Sequence, residues 1–212
     1  PLRGDWYPLH YASRNPNQRG VAGVNERIAH AFETWPIRVT PGVNRGYRQG
    51  TLRDDYHLRV FTSACSPAIY RGDAFPAEFR GNAFVCEPAG NLVKRFVLAE
   101  DDGRLRAEPA YPDSEFLAST DEWFRPVNLE VGPDGALYVV DMYRAVVEHP
   151  QWVPDELKER PDNYSGNDRG RIYRIVPIGH TIANRDEAAP GLGRVAGPKL
   201  VAELKSPNGW RR

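Results

Sequence analysis

The stretch that decides the fold of this chain is Gly81-Asn-Ala-Phe-Val-Cys-Glu-Pro-Ala-Gly-Asn-Leu-Val-Lys-Arg-Phe-Val-Leu98. A short apolar run ends at Glu87, and the turn-forming residues 88–91 follow it. From Leu92 the side chains alternate between two faces, with residues 92, 94, 96 and 98 on one and residues 93, 95 and 97 on the other. Alternation of this kind indicates a strand, and a turn between two such runs predicts an antiparallel pair.

The same pattern continues along the chain and then recurs. Turn residues at 100–103 separate the second strand from a third, predicted over 105–110. A new strand is predicted over 127–131, then the tight turn Gly132-Pro-Asp-Gly135, then strands over 136–141 and 171–176. Glycine suits such a turn because it adopts positive φ without a steric penalty. Asp134 is interpreted as a turn residue that helps Gly135 to close the hairpin.

These two units form an internal repeat. Residues 81–87 align with residues 135–141 at a spacing of 54 residues, and residues 92–97 align with 171–176 once an insertion at 144–169 is allowed. Repeated units of about 40–50 residues with four strands are typical of β-propellers. The alternative is two unrelated hairpins in a β-sandwich. We therefore predict an all-β chain, a partial β-propeller of two to three blades with a loop-rich N-terminal segment and a short C-terminal helix.

The predicted domain organisation follows from these patterns. Residues 1–60 form a loop-rich segment with a short helix near 24–32, where apolar residues have helical spacing. Residues 61–177 hold two blades, and the insertion at 144–169 lies on one rim with a helical turn that begins near Asp155. Residues 178–212 are predicted to be a linker and, from Gly197, the first helix of a separate helical domain. The sequence begins with neither a Met nor a signal peptide and ends abruptly after Asn208-Gly-Trp-Arg-Arg212, so we expect a piece of a larger propeller.

Composition excludes several classes of protein. The 212 residues carry a formal net charge of +0 and are 41% hydrophobic. A balanced charge argues against a nucleic-acid-binding surface, and no run approaches the ~18 apolar residues of a membrane span. The two cysteines, Cys65 and Cys86, form neither a CxxC nor a CxxCH motif, so zinc or covalent haem is not expected within this chain. They are either buried small side chains or a disulfide pair.

Three segments carry a resemblance to a known family, namely residues 66–85, 125–141 and 170–175. They resemble the last blades of the glucose/sorbosone dehydrogenase propellers, which use pyrroloquinoline quinone. They are similar, more closely, to the large planctomycete-type membrane-bound dehydrogenase proteins. The short stretches 44–47, 87–95, 115–121 and 141–144 are typical of that group, and residues 206–212 resemble its first helical repeat.

This resemblance implies a function and partners. It implies a quinone-dependent sugar or alcohol dehydrogenase that uses pyrroloquinoline quinone and calcium and lies in the periplasm or another extracytoplasmic compartment. The remaining blades, a helical-repeat domain and a c-type haem domain downstream would be its partners. The catalytic histidine of such enzymes belongs to an earlier blade, so no catalytic residue is assigned within this chain. The five histidines are interpreted as surface or structural residues: His10, His30, His57, His149 and His180.

Candidate cofactor ligands also come from the resemblance. The family has an Arg-x-Arg-Asp pattern before the Gly-Pro-Asp-Gly turn, and its arginines reach the cofactor. Arg125 matches the first arginine, whereas Val127 and Asn128 replace the second arginine and the aspartate. The alternative for Arg125 is a structural arginine that pairs with a carboxylate such as that of Asp121. Arg45, in a glycine-flanked loop, is a second candidate cofactor ligand.

The repeat itself points to another group of candidates. Asp141 ends a predicted strand, and Glu87 holds the matching position one repeat earlier. Their oxygens could bind calcium, or they could accept hydrogen bonds from neighbouring loops. Arg144 follows the same strand and is a third candidate cofactor ligand. Two functional hypotheses therefore remain: part of a quinone-dependent dehydrogenase, or a non-catalytic propeller that binds carbohydrate or protein.

Overall fold

A computed structural model describes residues 28–40, 50–102, 104–147, 155–159, 161–180 and 196–212. Two antiparallel sheets dominate this part of the chain. The prediction of an all-β, propeller-like partial domain is therefore confirmed.

The first sheet contains the strands that residues 81–98 form. Its strands run in the order β1 (Cys65–Ile69), β2 (Ala83–Glu87), β3 (Leu92–Asp101) and β4 (Arg104–Pro109), and β5 (Leu117–Ala118) pairs with the beginning of β3. Single 3₁₀ turns cover Ala77–Phe79 and Pro88–Gly90. The predicted strands at 83–87, 92–98 and 105–110 are confirmed to within a few residues. β5 is a strand that the sequence pattern did not predict.

The second sheet repeats the arrangement with three strands. They run in the order β6 (Pro126–Val131), β7 (Leu137–Asp141) and β8 (Arg171–Ile175). Gly81, before β2, and Gly135, before β7, both have positive φ, at 81° and 77°. Gly132, the other glycine of the predicted turn, does not need it, and the turn closes through the Gly135 N–H donating to the Gly132 carbonyl at 2.9 Å. The repeat in the sequence is thus a repeat in the structure.

The two sheets pack face to face around one apolar core. The first sheet and the residue after β1 contribute Tyr70, Phe84, Cys86 and Val93. The second sheet and the segment before β6 contribute Phe124, Leu129, Leu137 and Val139. Phe116 packs edge-on against the Phe84 ring, with centroids 4.9 Å apart. Burial of a side chain of this size stabilises the fold by roughly 1.5–3 kcal/mol. This core fixes how the two sheets sit against each other.

A tight corner joins the sheets at the end where β1 leaves. The Tyr70 hydroxyl donates to the Gly135 carbonyl at 2.6 Å and accepts from the Phe75 N–H at 2.9 Å. A Cβ on Gly72 would lie 2.2 Å from the Gly135 oxygen, and one on Gly135 would lie 2.8 Å from the Ala74 nitrogen. Both positions therefore require glycine, because real side chains essentially never approach so closely.

Residues 28–40 and 50–61 cover the other face of the first sheet. Ala29 and Phe61 pack on Val85, Phe96 and Ala107. The helix predicted near 24–32 is not formed over residues 28–32, and residues 24–27 lie outside the described part. Ala29 instead bridges Ala107 in parallel, and the Ala107 N–H donates to the Ile28 carbonyl at 2.7 Å. The backbone at residues 28 and 29, which apolar spacing assigned to a helix, therefore pairs with the edge of β4 instead.

The second sheet is covered differently. The core-facing side chains of β7 are buried. On the opposite face Val140 and Ile172 lie in register, and Ile172 is 66% exposed. This open face forms part of the candidate site described below.

Two short helices complete the described chain. Helix α1 (Asp155–Lys158) lies in the insertion, at the predicted place, and helix α2 (Gly197–Glu203) confirms the predicted C-terminal helix. No helix of the described residues is long and apolar enough to cross a membrane.

After α2 the chain docks on both sheets. The buried Asn208 amide donates to the carbonyls of Gly132 at 3.2 Å and Pro133 at 3.0 Å, and the Gly209 N–H donates to the Arg71 carbonyl at 2.7 Å. The assignment of residues 178–212 to a linker and the start of a helical-repeat domain stays a prediction.

Candidate functional site

The carboxylate of Glu87 anchors the chain that leads into β1. Glu87 is fully buried, and its oxygens accept hydrogen bonds from the Thr62 N–H, the Ser63 N–H and the Thr62 hydroxyl at 3.0–3.3 Å. Burial raises the pKa of Glu87 to about 7, against the opposing effect of the hydrogen bonds from Ser63 and Thr62. These contacts match the loop-anchoring alternative for this residue.

Asp141 occupies the equivalent position in the second sheet and does a similar task with one oxygen. Its Oδ1 accepts from the Arg125 N–H and the Tyr143 N–H, both at 2.8 Å, and so holds the chain that leads into β6. Its other oxygen, Oδ2, is buried and has no hydrogen-bond partner among the described residues. The nearest cation is the Arg171 Nε at 3.9 Å. The two repeats therefore differ in one respect: both carboxylate oxygens of Glu87 accept hydrogen bonds from described residues, whereas only one oxygen of Asp141 does.

Arg125 bridges the two sheets at the end where Glu87 and Asp141 lie. Its guanidinium donates to three backbone carbonyls, those of Pro88 at 3.0 Å, Arg144 at 3.0 Å and Ala145 at 2.8 Å. Burial, and secondarily the neighbouring cation Arg38, lowers the pKa of Arg125 to about 10. Arg125 is thus a structural arginine in its contacts, although these contacts are with carbonyls rather than with the carboxylate of Asp121.

Arg144 fastens the insertion to the end of β7. Its Nη1 donates to the carbonyls of Met142, Tyr143 and Gly166, and its Nη2 donates to the Asn167 carbonyl at 3.3 Å. Gly166 has φ of +88°, and a Cβ there would lie 2.3 Å from the Tyr143 oxygen. The insertion can approach the strand this closely only with glycine at that position.

A cavity of about 370 Å³ lies where the ends of β6, β7 and β8 meet the insertion. Its apolar wall contains Val127, Val140 and Ile172, and its polar wall contains Asp141, Arg144 and Arg171. The Arg171 guanidinium stacks on the Tyr143 ring, 3.7 Å from the centroid. Stacking of this kind holds the cation in one orientation. The residues that line the cavity thus include two arginines, an aspartate whose side chain is fully buried, and an apolar surface.

These residues do not fit a calcium site. A calcium ion takes 6–8 oxygen ligands, whereas the Glu87 oxygens are occupied by hydrogen bonds and Asp141 has one oxygen to offer. No group of three or more His, Cys, Asp or Glu residues converges within the described ranges. The calcium prediction for Glu87 and Asp141 gains no support from this geometry.

The predicted cofactor ligands are only partly brought together. Arg144 lines the cavity, whereas the Arg125 guanidinium is held by carbonyls and Arg45 lies outside the described residues. Sequence reasoning missed Arg171, the cation that faces Asp141. Arg171 begins the strand paired with β7 and is the register partner of Asp141, which the sequence alone does not reveal.

Comparisons with known proteins add a family and little else. A crystal structure from Thermus thermophilus, provisionally named an oxidoreductase (glucose dehydrogenase), aligns at 23% identity with a TM-score of 0.32. The alignment covers 62% of this chain and 31% of that one, and at this TM-score it carries no argument. None of the curated proteins compared matches the chain. The sequence model of the family described as "Domain of unknown function (DUF7133)" matches residues 2–179, so this chain belongs to the DUF7133 family.

Proposed function

We propose that this chain is a sector of a propeller that binds a polyhydroxylated ligand, a sugar or sugar alcohol, in the cavity at the end of the second sheet. The observation that carries the proposal is the buried Asp141 Oδ2, which has no hydrogen-bond partner among the described residues and lies beside Arg171. Burying a carboxylate oxygen without a partner is costly, and a ligand hydroxyl would remove that cost.

A neutral polyol can form hydrogen bonds with both Asp141 and Arg171. A hydroxyl group can donate to Asp141 Oδ2, and the neighbouring hydroxyl can accept from the Arg171 or Arg144 guanidinium. A purely anionic ligand would meet the Asp141 charge, and a purely cationic ligand would meet the two arginines. The side chains of Val127, Val140 and Ile172 offer an apolar surface for the C–H face of a sugar ring. The volume of about 370 Å³ is in the range of small-molecule sites.

The proposal is tested by titrating the protein with aldoses, ketoses and alditols and measuring the binding affinity by calorimetry. The Asp141→Asn variant keeps an acceptor for the Arg125 and Tyr143 N–H groups but replaces Oδ2 with a donor. Loss of one hydrogen bond to a charged group corresponds to about 10- to 150-fold in affinity, and we expect Asp141→Asn and Arg171→Ala to weaken binding by such factors.

Arg169→Ala is the matched control for this titration. Arg169 is an exposed arginine two residues before Arg171, and its recorded ion pair is with Asp168 at 3.8 Å. Its variant should bind like the wild type. Absence of binding by every sugar, or equal binding by wild type and Asp141→Asn, would refute the proposal.

A second candidate is the quinone-dependent oxidation of a sugar or alcohol, with electrons passed to a c-type haem in a downstream domain. The observation that favours it is that Arg144 and Arg171 line the same cavity, because guanidinium groups pair well with carboxylates such as those of pyrroloquinoline quinone. In that case the remaining blades would supply the catalytic base, and the protein would work outside the cytoplasm.

The two functions are separable by experiment. Quinone titration and dye-linked turnover should be measured on the protein, with calcium added, alongside the sugar titration. Sugar binding without quinone binding supports the carbohydrate-binding propeller. Quinone-dependent turnover that Arg171→Ala weakens and Arg169→Ala leaves unchanged supports the dehydrogenase.

A further inference from the structure

We propose that Cys65 and Cys86 form an intramolecular disulfide that staples β1 to β2. Nothing in the proposed carbohydrate site requires this bridge, so the inference is independent of that function.

The strand register places the two cysteines directly opposite each other. Cys65 and Cys86 are Cα partners in the antiparallel pair of β1 and β2. Opposed residues in such a pair have Cα atoms about 4.5–5.5 Å apart, which lies inside the range of about 4.4–6.8 Å found for disulfides. Little backbone movement is therefore needed to join the sulfurs.

The two thiols differ in access, which fixes the order of the reaction. Cys86 is fully buried in the core between the sheets, whereas Cys65 is partly exposed. Oxidation begins when the Cys65 thiolate attacks a low-molecular-weight disulfide, which releases one thiol and leaves a mixed disulfide on Cys65. The Cys86 sulfur then attacks the Cys65 sulfur and releases the second thiol. The two cysteines lose two protons and two electrons, and the external disulfide gains them.

The bridge would lie beside the contact that joins the sheets at this rim. A β-bulge follows Cys65, with Ser66 at φ 45°. This bulge lets the Ser66 hydroxyl donate to the Val127 carbonyl at 2.8 Å, and the Cys65 Sγ lies 3.6 Å from the same oxygen. A covalent link at Cys65 therefore restrains the beginning of β1 next to the second sheet. The closed loop contains residues 66–85, which include the Ala77–Phe79 turn.

The experiment oxidises the reduced protein with oxidised glutathione and follows the intact mass, alkylation and melting. The sequence has two cysteines, so a loss of about 2 Da without dimer formation identifies this bridge. We expect both cysteines to become resistant to iodoacetamide after denaturation. The melting temperature should rise by roughly 5–10 °C for a loop of this length, and dithiothreitol should reverse every change.

Cys65→Ser is the matched control, because it leaves the buried core thiol in place. This variant should show neither the mass loss nor the rise in melting temperature under the same oxidant. A wild-type protein that keeps two alkylatable thiols after oxidation would overturn the proposal. So would one that stops at a stable glutathione adduct on Cys65.

Discussion

The two sheets share a strand pattern but differ in what covers them. The first sheet is packed on both faces, by residues 28–40 and 50–61 on one side and by the second sheet on the other. The second sheet has an open face that carries Val140 and Ile172. The carboxylates at the equivalent strand ends, Glu87 and Asp141, also differ between the two sheets. Both oxygens of Glu87 are occupied, but Asp141 keeps one oxygen unpartnered, among the described residues, beside a cavity. The same carboxylate position in the repeat is therefore fully hydrogen-bonded in the first sheet and only half hydrogen-bonded in the second.

The largest expected effect tests the difference in cover between the sheets. Phe84→Ala removes a fully buried ring from the core between them and should lower the free energy of unfolding by about 3–5 kcal/mol. Ile172→Ala, on the open face, should cost less than about 1 kcal/mol, since that residue is 66% exposed. Urea denaturation of both variants measures the two values. Equal losses would show that something covers the open face in solution.

A pH series tests the enclosed carboxylate. The folded protein holds a proton on Glu87 up to about pH 7, whereas the unfolded chain releases it near the ordinary value of 4.5. The contribution of Glu87 to the free energy of unfolding therefore falls as pH rises between these values, by up to about 3 kcal/mol. Glu87→Gln should flatten this slope, as measured by urea denaturation from pH 4.5 to 8.

Thr62→Val sharpens the same test. It removes the hydroxyl that donates to Glu87 Oε1, a contact that favours the charged form. The slope should then steepen relative to the wild type. A wild-type slope in the Glu87→Gln variant would assign the pH dependence to another group.

The next largest effect concerns the bridge between the sheets at the rim. Arg125→Ala leaves the carbonyls of Pro88, Arg144 and Ala145 without this donor and should destabilise the fold by about 2 kcal/mol. Arg171→Ala, whose side chain is 38% exposed, should leave the melting temperature nearly unchanged while it weakens sugar binding. Thermal melts of both variants check this. The reverse order would make Arg125 the binding residue and Arg171 the structural one.

The smallest effect is expected where the C-terminal segment docks. Asn208→Ala loses two hydrogen bonds to the Gly132-Pro133 turn and should cost about 1 kcal/mol. Hydrogen exchange should increase in residues 206–210 while the strands of both sheets stay protected. Increased exchange throughout the second sheet would show that the segment is needed for that sheet to form.

The sequence pattern predicted the elements that depend on local alternation and turns. It failed where contacts between residues distant in the sequence determine the local structure. The strands at 83–98 were readable because side chains alternate around a turn. Over residues 28–32 the expected helix is replaced by pairing of Ala29 with Ala107, about 80 positions away, which no local pattern reveals. β1 has no clean alternation because a bulge follows Cys65.

The candidate site shows the same division. Glu87 and Asp141 were found through the repeat, which is visible in the sequence. The carbonyl partners of Arg125 were not, because a backbone oxygen has no sequence signature. Arg171 could have been paired with Asp141 only by knowing the register between β7 and β8.

The corner formed by Tyr70, Gly72 and Gly135 has a consequence for how DUF7133 sequences vary. A Cβ at position 72 would collide with the Gly135 carbonyl, which accepts the Tyr70 hydroxyl, and one at position 135 would collide with the backbone of Ala74. Substitution at one of these three positions would disturb the contact that the other two make. Across relatives the three should therefore be inherited as a unit. Their joint presence would identify members that join their blades in the same way, even where the rest of the sequence has diverged.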